Sequence, residues 1–278
     1  MKTKLPHKLL IAAAIVLGSS AHASVTLFTD NFNTDGGRPH GGGYPTDKSF
    51  NDDLALDQGG TLATITYSGS STDGRNVNGF YYSVHGDAGR LYIEGFDNSK
   101  IGLNHNFATN ANALDLALKI DFTLSVGGGG TSSTDGVSFG IGNNAIADYD
   151  ATGNMFSSFF LAGNQTGTRQ YAAGNIISSA INFTDGDLIT YVISDASGSG
   201  SAFDSSGNSM VKFYINNVLQ ETFTGLTFGA NDGFINMEAE GNVNGYFDNL
   251  SVQAVPEPSA ALLGGLGLLA MLRRRRNA

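Results

Sequence analysis

Seven consecutive even-numbered positions, Leu114, Leu116, Leu118, Ile120, Phe122, Leu124 and Val126, are apolar. The odd positions between them carry Asp115, Ala117, Lys119, Asp121, Thr123 and Ser125. A helix would scatter these side chains around its axis, whereas an extended chain sends alternate ones to opposite faces. The run predicts a long strand with one face in a core. Gly, Ser, Asn and Asp interrupt the rest of the chain at short intervals, which leaves no long helical pattern.

Further strands are predicted over 25–29, 61–67, 80–84, 91–94, 137–141, 155–161, 188–193, 210–216, 218–223, 234–238 and 246–252. Many short strands divided by Gly-rich turns predict an all-β, antiparallel sandwich. Flexible connections are expected over 36–43, 127–135 and 194–208. Nothing in them reads as an interdomain linker, so 24–254 is read as one domain.

Composition narrows the functional classes. None of the 278 residues is Cys, which excludes a disulfide framework, a zinc ribbon and a thiol nucleophile. Charge is uneven. Lys2, Lys4 and Lys8 open the chain and Arg273, Arg274, Arg275 and Arg276 nearly close it. Between residues 24 and 255 there are 8 basic and 24 acidic residues, a net of −16. Such a body is a poor match for nucleic acid, which calls for a basic footprint.

The two ends read as routing segments. A basic start, an apolar stretch from Leu9 to Leu17 and small residues at Ala21 and Ala23 have the order of a secretory signal helix cleaved after Ala23. At the other end, Val255-Pro256-Glu257-Pro258-Ser259 precedes an apolar run over 260–272 and the four arginines. Thirteen residues fall short of the roughly 20 of a comfortable helical span. An Arg cluster directly after the run holds it in a membrane with the cytoplasmic side fixed. Pro256 and Pro258 keep the preceding chain extended, accessible to a processing enzyme.

This tail resembles the PEP-CTERM sorting signal in its tripeptide at 256–258, its short apolar helix at 260–272 and its terminal arginines. The resemblance implies a sorting signal over 255–278 and handling by exosortase, a membrane-embedded, transpeptidase-like processor of Gram-negative exopolysaccharide producers. It also implies transient inner-membrane association through 260–272 and delivery to the cell surface or the extracellular biofilm matrix. A second resemblance lies in the body. Val211-Lys212-Phe213-Tyr214-Ile215-Asn216-Asn217-Val218-Leu219 looks like the strand-turn-strand of laminin-G and concanavalin A-like jelly rolls. Asp135-Gly136-Val137-Ser138-Phe139 resembles a stretch of the L-type lectins, and 245–252 looks like the last strand of many jelly-roll carbohydrate modules. The fold implied is an antiparallel jelly-roll β-sandwich, flanked by the signal helix and the short apolar helix.

Candidate sites follow. Glu238 and Glu240 would share one strand face, as paired carboxylates for hydrolysis must, but the third acid of the β-glucanase relatives is missing. His40, His85 and His105 are dispersed, and no nucleophile elbow occurs. The chain is therefore expected not to be an enzyme; a glycoside hydrolase or lyase with an unfamiliar site is the distant alternative. The stretches opening at Asn31 and Asp148 look like starts of calcium loops but lack the closing Glu. The carbohydrate-module resemblance nominates Asp30 and Asp248 for a structural calcium, against plain turn-capping roles. A lectin-like reading, with exopolysaccharide or another glycan as partner, nominates Asp135, Tyr81 and Tyr82, with Tyr44 and Tyr149 as further aromatics. The leading expectation is a non-catalytic surface or matrix body.

Overall fold

The computed structural model describes residues 23–32, 58–62, 64–70, 84–87, 89–95, 99–130, 132–151, 153–162, 167–197 and 201–256. In chain order the elements are β1 (Val25–Asp30), β2 (Gln58–Gly59), β3 (Tyr67–Ser70), β4 (Val84–Asp87), β5 (Arg90–Glu94), β6 (Ser99–Leu103), α1 (Phe107–Leu114), β7 (Ala117–Gly128) and β8 (Gly136–Gly142). They continue with β9 (Asn154–Leu161), β10 (Thr168–Ala172), β11 (Asn175–Ile181), β12 (Asp187–Asp195), β13 (Ser209–Ile215), β14 (Val218–Leu226), β15 (Phe234–Glu240) and β16 (Val243–Val255).

Every pairing among them is antiparallel. The first sheet has the order β14-β13-β12-β7-β16-β1-β2, with β5 also on β16 and β4 on β5. The second has the order β11-β10-β9-β8-β15-β6-β3. The body is thus the all-β, antiparallel sandwich that the strand pattern predicts, in the jelly-roll form that the resemblance implies.

Alternation builds the core between the sheets. Leu118, Ile120, Phe122 and Leu124 are fully buried on β7, as the even-position run requires. Phe122 stacks on Phe139 of β8 at 4.3 Å between ring centroids and lies 5.4 Å from Phe247 of β16. Tyr191 of β12 lies parallel to Phe139 at 5.4 Å and edge-on to Phe156 of β9 at 5.9 Å. These rings cross the gap between sheets, and each large aromatic buries some ~150–250 Å².

Several elements differ from the sequence reading. The β7 strand begins at Ala117, because Leu114 ends a helix. Asn106 caps that helix, accepting from the Ala108 N–H at 3.2 Å. Phe107, Ala108 and Ala111 supply its buried face. Asp115 closes it in the left-handed region at φ 53°. Of the strand expected over 61–67, residues 61, 62 and 64 are turn, 65 and 66 are irregular, and β3 starts only at Tyr67. Gly60, at φ +89°, sits where a Cβ would lie 2.7 Å from the Leu27 carbonyl oxygen, so the chain turns against β1 instead of extending. Strands β2, β6, β10 and β11 add to those the sequence pattern predicts. The 194–208 connection carries Phe203, which is buried edge-on against Phe228 at 5.6 Å. The β13–β14 hairpin matches its expectation: Asn216 and Asn217 hold φ 50° and 63°, the primed turn that suits the strand twist.

Candidate functional site

On β15, Ile235, Met237 and Ala239 enter the core, so Asn236, Glu238 and Glu240 turn to the opposite face of the second sheet. The β8–β9 connection, 143–153, folds back over that face. Two buried amides fasten it. Asn154 Nδ2 donates to Asn236 Oδ1 at 3.1 Å and to the Asp148 carbonyl at 2.8 Å. Asn236 Nδ2 donates in return to Asn154 Oδ1 at 2.6 Å and reaches the Asn144 carbonyl at 3.3 Å. Small residues make room: a Cβ on Gly102 would stand 1.6 Å from the Ala145 carbonyl oxygen.

Beneath this loop lies Glu238, only 3 % exposed. Its Oε2 accepts the Tyr149 N–H at 3.0 Å, and its Oε1 lies 3.6 Å from Lys100 Nζ on β6. Lys100 also forms an ion pair with Asp148. Burial pushes the Glu238 carboxyl up to about 7, although Lys100 and the Tyr149 N–H pull it down. Burial raises Glu240 as well, while a hydrogen bond from Tyr149 lowers it. The Tyr149 ring stacks on Phe159 at 4.3 Å and meets Tyr171 edge-on at 5.1 Å. Burial, with the carboxylates around it, raises its phenol. The face is therefore an acidic patch around a half-buried tyrosine, with its innermost carboxyl capped by protein.

The two glutamates do share a face, as their spacing implies. Asp135 lies in the turn before β8, where its Oδ2 accepts the Ser132 N–H at 2.9 Å. It is also close enough to raise Glu240. Tyr149 joins this patch, whereas Tyr44, Tyr81 and Tyr82 lie outside the described residues. Asp148 and Tyr149, which open a calcium-like stretch in the sequence, instead engage Lys100, Glu238 and Phe159. His105 hydrogen-bonds Asn110 at 2.7 Å and packs edge-on against Phe107, a structural role. His40 lies outside the described residues, as does the side chain of His85.

The calcium nominees are not brought together. Asp30 is buried on the core side of β1, accepting the Tyr67 hydroxyl at 2.6 Å and the Phe32 N–H at 2.9 Å. Asp248 follows the buried Phe247 on the outer face of β16, where its Oδ1 accepts the Asn249 N–H at 2.7 Å. The two carboxylates point to opposite sides of one sheet, and this pair does not fit a shared ion. Among the described residues no group of three or more His, Asp or Glu side chains is placed to hold a metal.

Lys100, Asn154 and Asn236 are members of this face that sequence reasoning does not single out. The one signal for them is the Asn236, Glu238, Glu240 alternation on β15; partners from β6 and β9 follow only from sheet register.

Of the sorting residues, Pro256 is described and directly follows β16, while Glu257, Pro258 and Arg273–Arg276 lie outside the description, as does Ala21. The apolar run 260–272 is outside it too; among the described residues no helix is long and apolar enough to cross a membrane. Ala23 is exposed just before β1, and Val25 pairs with Ala254.

Comparison with known proteins bears on both parts of the chain. Among solved structures, the metal-free carbohydrate recognition domain of Emp46p is 11% identical, with 68% of this chain and 87% of that one covered and a TM-score of 0.45. The same domain has been solved in a potassium-bound form, 10% identical, with 67% and 87% covered and a TM-score of 0.45. A Bacillus subtilis protein of unknown function with a galectin-like fold is 8% identical, with 69% and 90% covered and a TM-score of 0.42. The alginate lyase Aly36B, as a mutant bound to an alginate trisaccharide, is 14% identical, with 85% and 100% covered and a TM-score of 0.43. No curated protein matches the chain. The family model of the PEP-CTERM protein-sorting motif matches residues 254–276. The chain carries a PEP-CTERM sorting motif joined directly to the last strand of a jelly-roll sandwich, and is thus an exported protein handled by exosortase.

Proposed function

We propose that the chain is a cell-surface or extracellular-matrix protein of a Gram-negative exopolysaccharide producer, with a body that works by adhesion or assembly and not by turnover. One observation carries this reading: β16 ends at Val255 and the sorting motif spans 254–276, so the tail begins inside the sandwich's own final strand. Signal cleavage after Ala23 would leave Ser24 at the same corner, beside Ala254. The body is then delivered and held by a segment that is continuous with its fold.

A non-catalytic body is supported by the state of Glu238. Its carboxyl is buried beneath the loop that carries Tyr149 and is engaged by the Tyr149 N–H and Lys100. Glycan binding is the second reading, favoured by the half-buried Tyr149 ring among Asp148, Asp150 and Glu240 on the outer face. A glycan array on the exported protein and its Tyr149→Ala variant tests it.

The sorting reading is tested in cells. Replacing Arg273–Arg276 with neutral residues should impair retention, and Glu257→Ala should block delivery. Unchanged surface delivery of both variants would contradict it. Product release from exopolysaccharide, lost in Glu238→Gln, would contradict the non-catalytic body.

A further inference from the structure

Lys100 touches two carboxyls that reach it from different parts of the chain. Across the β6–β15 ladder it is the direct partner of Glu238, whose Oε1 lies 3.6 Å from its Nζ. The Asp148 carboxylate, carried by the β8–β9 connection, is in direct contact with the same nitrogen. Their exposures differ. The side chains of Lys100 and Glu238 are 15 % and 3 % exposed, while that of Asp148 is 50 % exposed. The amine and the inner carboxyl are thus largely removed from water, and the outer carboxyl has solvent beside it.

Backbone contacts hold the three in place. The Asp148 carbonyl accepts Asn154 Nδ2 at 2.8 Å, and Glu238 Oε2 accepts the Tyr149 N–H at 3.0 Å. Asn154 is locked in turn to Asn236 on β15. An amine and a carboxyl buried as ions carry a desolvation penalty, which they escape when the proton passes from nitrogen to oxygen. The amine is then a nucleophile lying against an acyl carbon. Well-oriented pairs of this kind reach effective concentrations of about 10⁵–10⁸ M.

We propose that Lys100 and Asp148 join in an intramolecular isopeptide bond, with Glu238 as the proton carrier. Glu238 takes one proton from the Lys100 ammonium, Nζ attacks Asp148 Cγ, and the N–C bond forms. Glu238 returns its proton to one Asp148 oxygen and a second proton reaches that oxygen from Nζ. The C–O bond then breaks and water leaves. The nitrogen gives up two of its three protons, the water carries both away, and Glu238 ends as it began, so no oxidant, reductant or cofactor enters. Burial pushes the Glu238 carboxyl up to about 7, which suits it to hold and return a proton near neutral pH. Half-exposed Asp148 gives the water a way out. The bond ties the β8–β9 connection covalently to β6, and it depends on neither the sorting reading nor the glycan reading.

Mass spectrometry of the full-length chain, purified and then unfolded, tests this without any substitution. Wild type should weigh one water less than its sequence requires, and fragmentation of its digest should yield a branched peptide joined at Lys100 and Asp148. Lys100→Arg should have the full mass. Refolded from inclusion bodies, with folding followed by circular dichroism, wild type should lose the water about 10²-fold faster than Glu238→Gln or more. A wild-type chain of full mass would overturn the bond. So would a missing water that persists in Lys100→Arg or maps to an Asp-Gly step such as Asp232-Gly233. Folded Glu238→Gln that links as fast as wild type would overturn the part given to Glu238.

Discussion

Val25 pairs with Ala254 in the antiparallel β1–β16 ladder, which places the first residues of the body beside the first residue matched by the sorting motif. The next pair, Thr26 with Gln253, is less buried and suits a covalent test. A Thr26→Cys, Gln253→Cys chain should close an intramolecular disulfide on oxidation and gain about 2–4 kcal/mol in denaturant unfolding. Free thiols after oxidation would contradict this register.

Asp30 holds the Tyr67 hydroxyl and the Phe32 N–H within the sandwich. Its substitution by Ala should cost about 1–3 kcal/mol, because a buried donor then loses its partner. Calcium should leave the melting temperature of the exported protein unchanged, since Asp30 and Asp248 face opposite sides of the sheet. A calcium-dependent rise in melting temperature that Asp248→Asn abolishes would contradict that geometry.

Glu238 makes stability depend on pH. Its carboxyl keeps its proton up to about 7 when folded, against 4.5 for an unperturbed side chain. The native state therefore binds more protons between those values. The stabilisation is whole below the lower value and is lost as pH rises through the upper one. Wild-type protein should lose on the order of 3 kcal/mol between pH 4.5 and 8 relative to Glu238→Gln, which stays neutral throughout. Parallel melting curves for the two proteins across that range would contradict the buried placement.

The amino-acid pattern reveals some of this architecture and conceals the rest. The even positions from Leu118 to Val126 assign β7 its faces because the pleat imposes the period whatever lies around it. The Asn216-Asn217 turn is legible because few residues hold positive φ twice in succession. The α1 helix is not, since its eight residues include two Asn and only a narrow apolar face. The β11 strand is hidden for the opposite reason: it is exposed along most of its length and so shows no alternation. Glu238 and Glu240 can be placed on one face, but the loop over Glu238 and the arrival of Lys100 from β6 depend on chain path and sheet register. Those are set by tertiary packing, not by local period.

Tyr149 anchors the loop through Glu238, Phe159 and Tyr171. Tyr149→Ala should destabilise the protein by at most about 3–5 kcal/mol, with hydrogen exchange speeded more at 143–153 than in the core strands. Exchange rates unaltered in that loop would contradict its role as the fastener.

The central claim is that the two ends route the sandwich and are removed. Intact mass spectrometry of the protein recovered from the cell surface tests this most directly. The expected species begins at Ser24 and lacks Arg273–Arg276, and it disappears from the surface in an exosortase-deficient strain. A surface species that keeps both the leader and the arginines, at equal abundance in the two strains, would contradict the account.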